Sequence, residues 1–198
     1  MNRNILTVLG VAVAAGALLI FAFGGIYNDL VKSEEEVSGA WAQVENVYQR
    51  RLDLIPNLVE TVKGYAAHEK ETLQAVIEAR SKITQMPVSP EMIKNPQALA
   101  QFEEAQQGLT ATLSRLLVVI EQYPNLKADQ TFLALQGQLE GTENRIAVER
   151  HRFNEVARAF NTKVRIFPNS WIARLTGFKK KAYFAADEAA RVAPTVKF

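Results

Sequence analysis

Residues 5 to 26 read Ile-Leu-Thr-Val-Leu-Gly-Val-Ala-Val-Ala-Ala-Gly-Ala-Leu-Leu-Ile-Phe-Ala-Phe-Gly-Gly-Ile, an apolar run interrupted only by Thr7. As a helix rising about 1.5 Å per residue it extends about 33 Å, enough to cross a hydrocarbon core of about 30 Å. Ile5, Leu6, Leu9, Leu18, Leu19, Ile20, Phe21 and Phe23 are the side chains expected to meet lipid. A cleaved secretory signal is the rival reading, with Arg3 before the run and small residues at Ala22-Phe23-Gly24. Signals carry apolar cores of about 7–15 residues, so the length of this run favours an uncleaved anchor. Everything after it is then a body tied to a bilayer.

The flanks set orientation. Arg3 and the α-amine precede the run, and Asp29, Lys32 and Glu34-Glu35-Glu36 follow it. The positive-inside rule counts Lys and Arg and largely ignores carboxylates. The short N-terminal flank with its amine is expected in the cytoplasm, which places the body outside. Gly10, Ala12, Ala14 and Gly16 supply small residues four apart, a spacing that permits close helix approach within lipid.

Composition narrows the function. The chain has 198 residues with a net charge of +2 and 22% charged residues, a balance that argues against a nucleic-acid partner. It contains no Cys, which excludes disulfides, thiolate catalysis and Cys-ligated metals. Beyond the anchor, the remaining length suits one domain.

From Leu30 the apolar spacing follows heptads. One register takes Leu30, Val37, Val44, Arg51, Leu58 and Tyr65; the other takes Glu34, Trp41, Tyr48, Ile55, Val62, Glu69, Val76 and Ile83. The pattern predicts one helix over 28–83, kinked or opened at Pro56. The prolines of Met86-Pro87-Val88-Ser89-Pro90 break it. A second helix is expected from Pro90 or Pro96 to Tyr123, and a third from about Ala128, with Phe132, Leu139, Ile146, Phe153 and Phe160 seven apart. Asn169 or Ser170 could cap a short fourth helix carrying Trp171, Ile172 and Leu175. No strand-like alternation of useful length occurs, so the fold class is all-α. It divides into an anchor over 1–27, an elongated antiparallel three- to four-helix bundle over 28–165, and a short helix with a basic-aromatic tail over 166–198.

Several phrases stand in an ordered set: Ala40-Trp41-Ala42-Gln43-Val44, Tyr48-Gln49-Arg50-Arg51-Leu52-Asp53-Leu54-Ile55-Pro56-Asn57-Leu58-Val59, Thr61-Val62-Lys63-Gly64-Tyr65-Ala66, Glu121-Gln122-Tyr123-Pro124-Asn125-Leu126 and Glu140-Gly141-Thr142-Glu143-Asn144-Arg145-Ile146. Over nearly its whole length the chain resembles the LemA family of bacterial proteins. The resemblance implies an N-terminal membrane anchor, an antiparallel helical bundle and an association with the cell envelope. It implies no catalytic residues.

Candidate sites are few. His68-Glu69-Lys70-Glu71 lacks the second His that a zinc helix needs, and His151 stands alone, so neither a metal nor a cofactor is expected. Arg51 falls on an apolar seam, where an unpaired charge costs several kcal/mol. With the second helix descending beside the first, its expected partners are Glu121 or Asp129. That geometry leaves residues 28–47 uncovered, so Leu30, Val37, Trp41 and Val44 are expected at a homo-oligomer interface or under the C-terminal tail. The tail interleaves Trp171, Ile172, Phe178, Tyr183 and Phe184 with Arg174, Lys179, Lys180 and Lys181, a mixture that binds anionic lipid or an acidic partner, or packs the bundle end. If the bundle stands upright, the tail is expected at its far end, away from its own bilayer.

No nucleophile–base pair, metal triad or phosphate-cradling loop is visible, and no small-molecule substrate is implied. The expected function is therefore a non-enzymatic, membrane-anchored scaffold that assembles with itself at the envelope. A sensory or adaptor module that binds an envelope protein is the alternative.

Overall fold

A computed structural model describes residues 3–185, with side chains from Thr7 onward. The side chains of Ile5 and Leu6, and the tail cations Arg191 and Lys197, lie outside the described residues. The described chain is helical and contains no strand: α1 (Arg3–Tyr65), α2 (Lys70–Thr84), a 3-10 turn (Met92–Lys94), α3 (Pro96–Ile120), α4 (Pro124–Lys127), α5 (Gln130–Lys163) and α6 (Asn169–Thr176).

The apolar run and the first heptads form a single helix. α1 continues from Arg3 to Tyr65 and passes through Pro56 without ending. Proline has no N–H for the carbonyl four residues back, which is that of Leu52. Arg80 of α2 fills the gap, donating Nε–H to the Leu52 carbonyl at 3.0 Å. The orphaned acceptor thus becomes a docking point for α2.

α1 stops at Tyr65, eighteen residues before the end of the helix that the heptads predict. A turn over residues 66–69 reverses the chain, with Ala66 N–H donating to Val62 O and Glu69 N–H to Ala66 O. Ala66 is fully buried, and its small side chain lets the two helices close on each other. The heptad crosses this turn unbroken because α2 also buries Val76 and Ile83, now against α3. The apolar spacing is the same for one long helix as for a hairpin whose arms share a core.

This reversal changes the direction of every later element. α2 returns along α1, and α3 rises parallel to α1. Asn95 caps α3 by accepting from Gln97 N–H and Ala98 N–H, and Pro96 occupies its first turn. At the top, Tyr123 donates to Glu69 and Tyr65 donates to Asp129. Asp129 also caps α5, accepting from Phe132 N–H at 2.9 Å. α5 then descends beside α1 until Lys163 meets Asp29 and Ser33. The body is an up-down-up-down bundle in which α1 and α5 form the most extensive pair.

The stripe expected to be uncovered is buried within the chain: Leu30, Val37, Trp41 and Val44 are all fully inaccessible. Of the two covers expected for them, another subunit or the C-terminal tail, the tail lies over Trp41 and α5 completes the cover. α5 reaches down to the level of Asp29, and the extended segment 178–185 then crosses the face that α3 leaves open. Trp41 meets Phe153 of α5 at 5.6 Å, Phe102 of α3 at 6.4 Å and Phe184 of that segment at 6.0 Å between ring centroids. Two asparagines seven apart on α5 hold the segment by its backbone. Asn161 accepts from Lys181 N–H and donates to Lys181 O, and Asn154 does the same for Phe184. Ala182 N–H donates to Ile93 O.

Candidate membrane-proximal site

Among the described residues, three groups of polar or exposed side chains stand out once the core is assigned. The first surrounds Arg51, which is 2% exposed. Its Nη2 donates to Thr110 Oγ1 at 2.6 Å, and its Nε lies 2.9 Å from a Glu143 carboxylate oxygen as an ion-pair contact. The buried ion pair foreseen for Arg51 exists, but with Glu143 of α5 rather than Glu121 or Asp129. Those two sit at the top of the bundle near Tyr65, fourteen residues or about 21 Å along α1 from Arg51. Burial pulls the Arg51 guanidinium below its ordinary pKa, while the Glu143 charge opposes that shift.

The second group ties the C-terminal segment to the bundle. Glu103 of α3 accepts from Arg150 of α5 at 2.6 Å and from Ala185 N–H at 3.2 Å. Its burial raises the carboxyl above the ordinary range, opposed by the Ala185 bond and the Arg150 charge. Lys181 is buried, pairs with Glu34 and lies 5.2 Å from the Phe160 ring centroid. Burial also drives the neighbouring Tyr48 phenol up to about 12. The two pairs join α3 to α5 and α1 to the C-terminal segment, while Tyr48 lines a cleft with Glu45, Gln49, Phe102 and Gln106. Glu45 is likewise pushed up by partial burial, against its bond from Trp41 Nε1.

The third group is the corner between α5 and α6. Because α5 descends, this corner lies at the end of the bundle that adjoins the apolar run. Tyr27 and Phe178 meet with ring centroids 6.0 Å apart. The tail is therefore beside the anchor, not at the far end, since an even number of long helices returns the chain to its starting level. Of the tail residues expected to contact lipid or a partner, Ile172, Lys181 and Phe184 are buried and Phe178 is half-buried against the core. Trp171, Arg174, Lys179, Lys180 and Tyr183 are exposed. The sequence reading overlooked Phe167, which is 84% exposed. Gly177, with φ of 84°, ends α6, and Phe178 N–H donates to Ala173 O. Neither Asn169 nor Ser170 caps α6, which begins at Asn169.

The apolar run itself lies outside the core. Val8, Leu9, Leu18, Leu19, Ile20 and Phe21 are at least 62% exposed, and Phe23 is 38% exposed. α1 is the one described helix long and apolar enough to cross a membrane, and its apolar stretch is near the N-terminus. Among the described residues, no three His, Asp or Glu side chains gather as a metal site. His68 lies in the turn after α1, and His151 is an exposed residue of α5.

The chain is 26% identical to Protein LemA of Metamycoplasma hominis, over 88% of this chain and 76% of that protein. It is 28% identical to Magnetosome protein MamQ of Magnetospirillum gryphiswaldense, over 80% of this chain and 64% of that protein. Magnetosome protein MamQ 2 of Paramagnetospirillum magneticum is 27% identical over the same shares. The LemA family model matches residues 40–198, which include the whole bundle beyond the first turns of its spine, and the chain belongs to the LemA family.

Proposed function

We propose that this chain is a non-enzymatic, single-pass scaffold of the bacterial inner membrane, whose helical body stands on the outer side and engages an envelope protein. One observation carries the reading: the apolar run and the spine of the bundle are the same uninterrupted helix, Arg3–Tyr65. A flexible linker would let the body tumble independently, whereas a continuous helix sets its height and makes it move with the span. From Tyr27 to Tyr65 that height is about 57 Å. A rigid mount suits a protein that positions others. The buried charges are spent on internal pairs rather than gathered around a reacting atom, and no relative's name denotes a reaction.

Self-assembly through Leu30, Val37, Trp41 and Val44 is not part of this reading, because those residues are buried within their own chain. The partner therefore meets the exposed sides of the body. Cross-linking in native membranes followed by mass spectrometry tests this. Reproducible cross-links from the body to one or a few envelope proteins support the adaptor form of the scaffold. Cross-links confined to copies of the chain restore self-assembly through a different surface. Absence of both contradicts the proposal.

A further inference from the structure

The exposed surface around α6 combines three observations. The first is position. Lys163 of α5 is level with Asp29 and Ser33 of α1, at 3.0 and 2.7 Å. Just past α6, Phe178 meets Tyr27 with ring centroids 6.0 Å apart, beside Ile26 where the apolar run ends. The second is polarity. Ile172 and Ala173 turn inward and are buried, which leaves Trp171 and Leu175, one turn apart, 71% and 72% exposed. Phe167 at 84% and Ile166 at 50% continue that apolar surface around the corner. Large side chains so fully in water and so close together are unusual unless something covers them.

The third observation is charge. Asp29 is paired with Lys163, Glu34 with Lys181, and Glu91, whose carboxylate also faces the Lys179 charge, with Lys94; Glu35 and Glu36 are exposed on α1. Arg165, Arg174, Lys179 and Lys180 are exposed and make no ion pair among the described residues. Arg165, Arg174 and Lys180 line one shallow depression, and Phe167, Trp171 and Arg174 line the next. Aromatic and aliphatic side chains beside cations form the composition of a surface that sits at a lipid–water boundary.

We propose that Phe167, Trp171 and Leu175 form an interfacial wedge seated in the leaflet from which α1 emerges, while Arg174, Lys179 and Lys180 contact its anionic headgroups. The inference rests on the reading that α1 crosses the bilayer. Its occupant follows from continuity: the wedge adjoins the apolar run, and any bilayer holding that run necessarily lies against this end of the body. A soluble acidic protein would meet the cations but would leave the apolar wedge in the same plane as the lipid. The wedge gives the body a second foothold about one helix diameter from α1. Two footholds oppose tilting of the spine, which a single helix cannot do.

The absence of Cys makes single-site labelling direct. Full-length chains carrying Leu19→Cys, Leu175→Cys or Glu140→Cys are labelled with an environment-sensitive fluorophore. They are then placed in nanodiscs of phosphatidylcholine alone or with phosphatidylglycerol, each with and without doxyl-labelled lipid. The wedge predicts strong quenching at 19 in both lipids, strong quenching and a blue shift at 175 in the anionic discs, and none at 140. Replacing Arg174 and Lys179 with Gln reduces the docked-to-undocked ratio roughly fivefold per cation removed. Far-UV circular dichroism reports that each variant remains folded. Quenching at 19 with a label at 175 as exposed as that at 140 overturns the wedge and leaves the anchor standing. No quenching at 19 overturns the anchor and the wedge together. Equal quenching at 175 with and without anionic lipid overturns the headgroup contact.

Discussion

The ion pair of Arg51 and Glu143 is asymmetric, and the asymmetry fixes the order of two substitutions. Arg51 is 2% exposed and Glu143 is 41% exposed. Glu143→Gln leaves the guanidinium buried with the Thr110 bond but without its counter-charge. Breaking a wholly buried pair in this way costs about 3–5 kcal/mol. Because the carboxylate is already partly in water, screening lowers the expected loss to about 2 kcal/mol. Arg51→Met removes the buried charge itself. The freed carboxylate rehydrates in place, Met fills most of the space, and Thr110 still donates to Gln106 O at 3.2 Å. Relief of desolvation offsets the lost bond, so the variant should lie within about 1 kcal/mol of wild type. The double variant should match Arg51→Met alone, and Glu121→Gln should couple to neither. Urea unfolding of the full chain in detergent micelles, followed by circular dichroism, measures all of these. If Arg51→Met is more damaging than Glu143→Gln, the pairing does not have the electrostatic character assigned to it.

Other outcomes follow from the same packing. Pro56→Ala restores an N–H to the Leu52 carbonyl, so Arg80→Ala should cost about 1.5 kcal/mol in wild type and clearly less in the Pro56→Ala background; equal costs in a double-mutant cycle would contradict the docking role of that carbonyl. Trp41→Ala should lose about 3–5 kcal/mol, and Trp41→Glu should unfold the body rather than merely disperse subunits, which a thermal melt distinguishes. The Glu103 carboxyl is held above its ordinary value of 4.5 by burial. Folded protein therefore binds that proton more tightly than unfolded protein, and acidification through the window between the two values stabilises it. Wild type should gain stability relative to Glu103→Gln as pH falls from 7 toward 4.5, and the opposite slope would contradict a desolvated carboxyl.

Lateral packing was legible in the sequence, whereas longitudinal register was not. The heptads place Phe132, Ile146, Phe153 and Phe160 on one seam, and all four are buried. The same rule kept Val76 and Ile83 in phase across the turn at Ala66, so it could not report that the helix had ended. Proline suggested a break at Pro56, where Arg80 compensates, while the actual reversal is marked only by Gly64 and the small Ala66 and Ala67. Missing one reversal inverted α3, moved the expected partner of Arg51 by about 21 Å, and sent the tail to the wrong end. The covering segment 178–185 has no periodicity to read. Its one signal is the spacing of Asn154 and Asn161, two amides seven apart on a helix that otherwise packs aromatics.

The central claim is that one helix crosses the bilayer and continues as the spine of the body. Single cysteines at Val8, Val13, Leu18, Asn28, Lys32 and Glu35 can be exposed, in intact spheroplasts, to a maleimide that does not cross membranes. The account predicts protection at 8, 13 and 18 and labelling from the outer side at 28, 32 and 35. Labelling at 13 or 18, or mature chains that begin near Gly25, would contradict it.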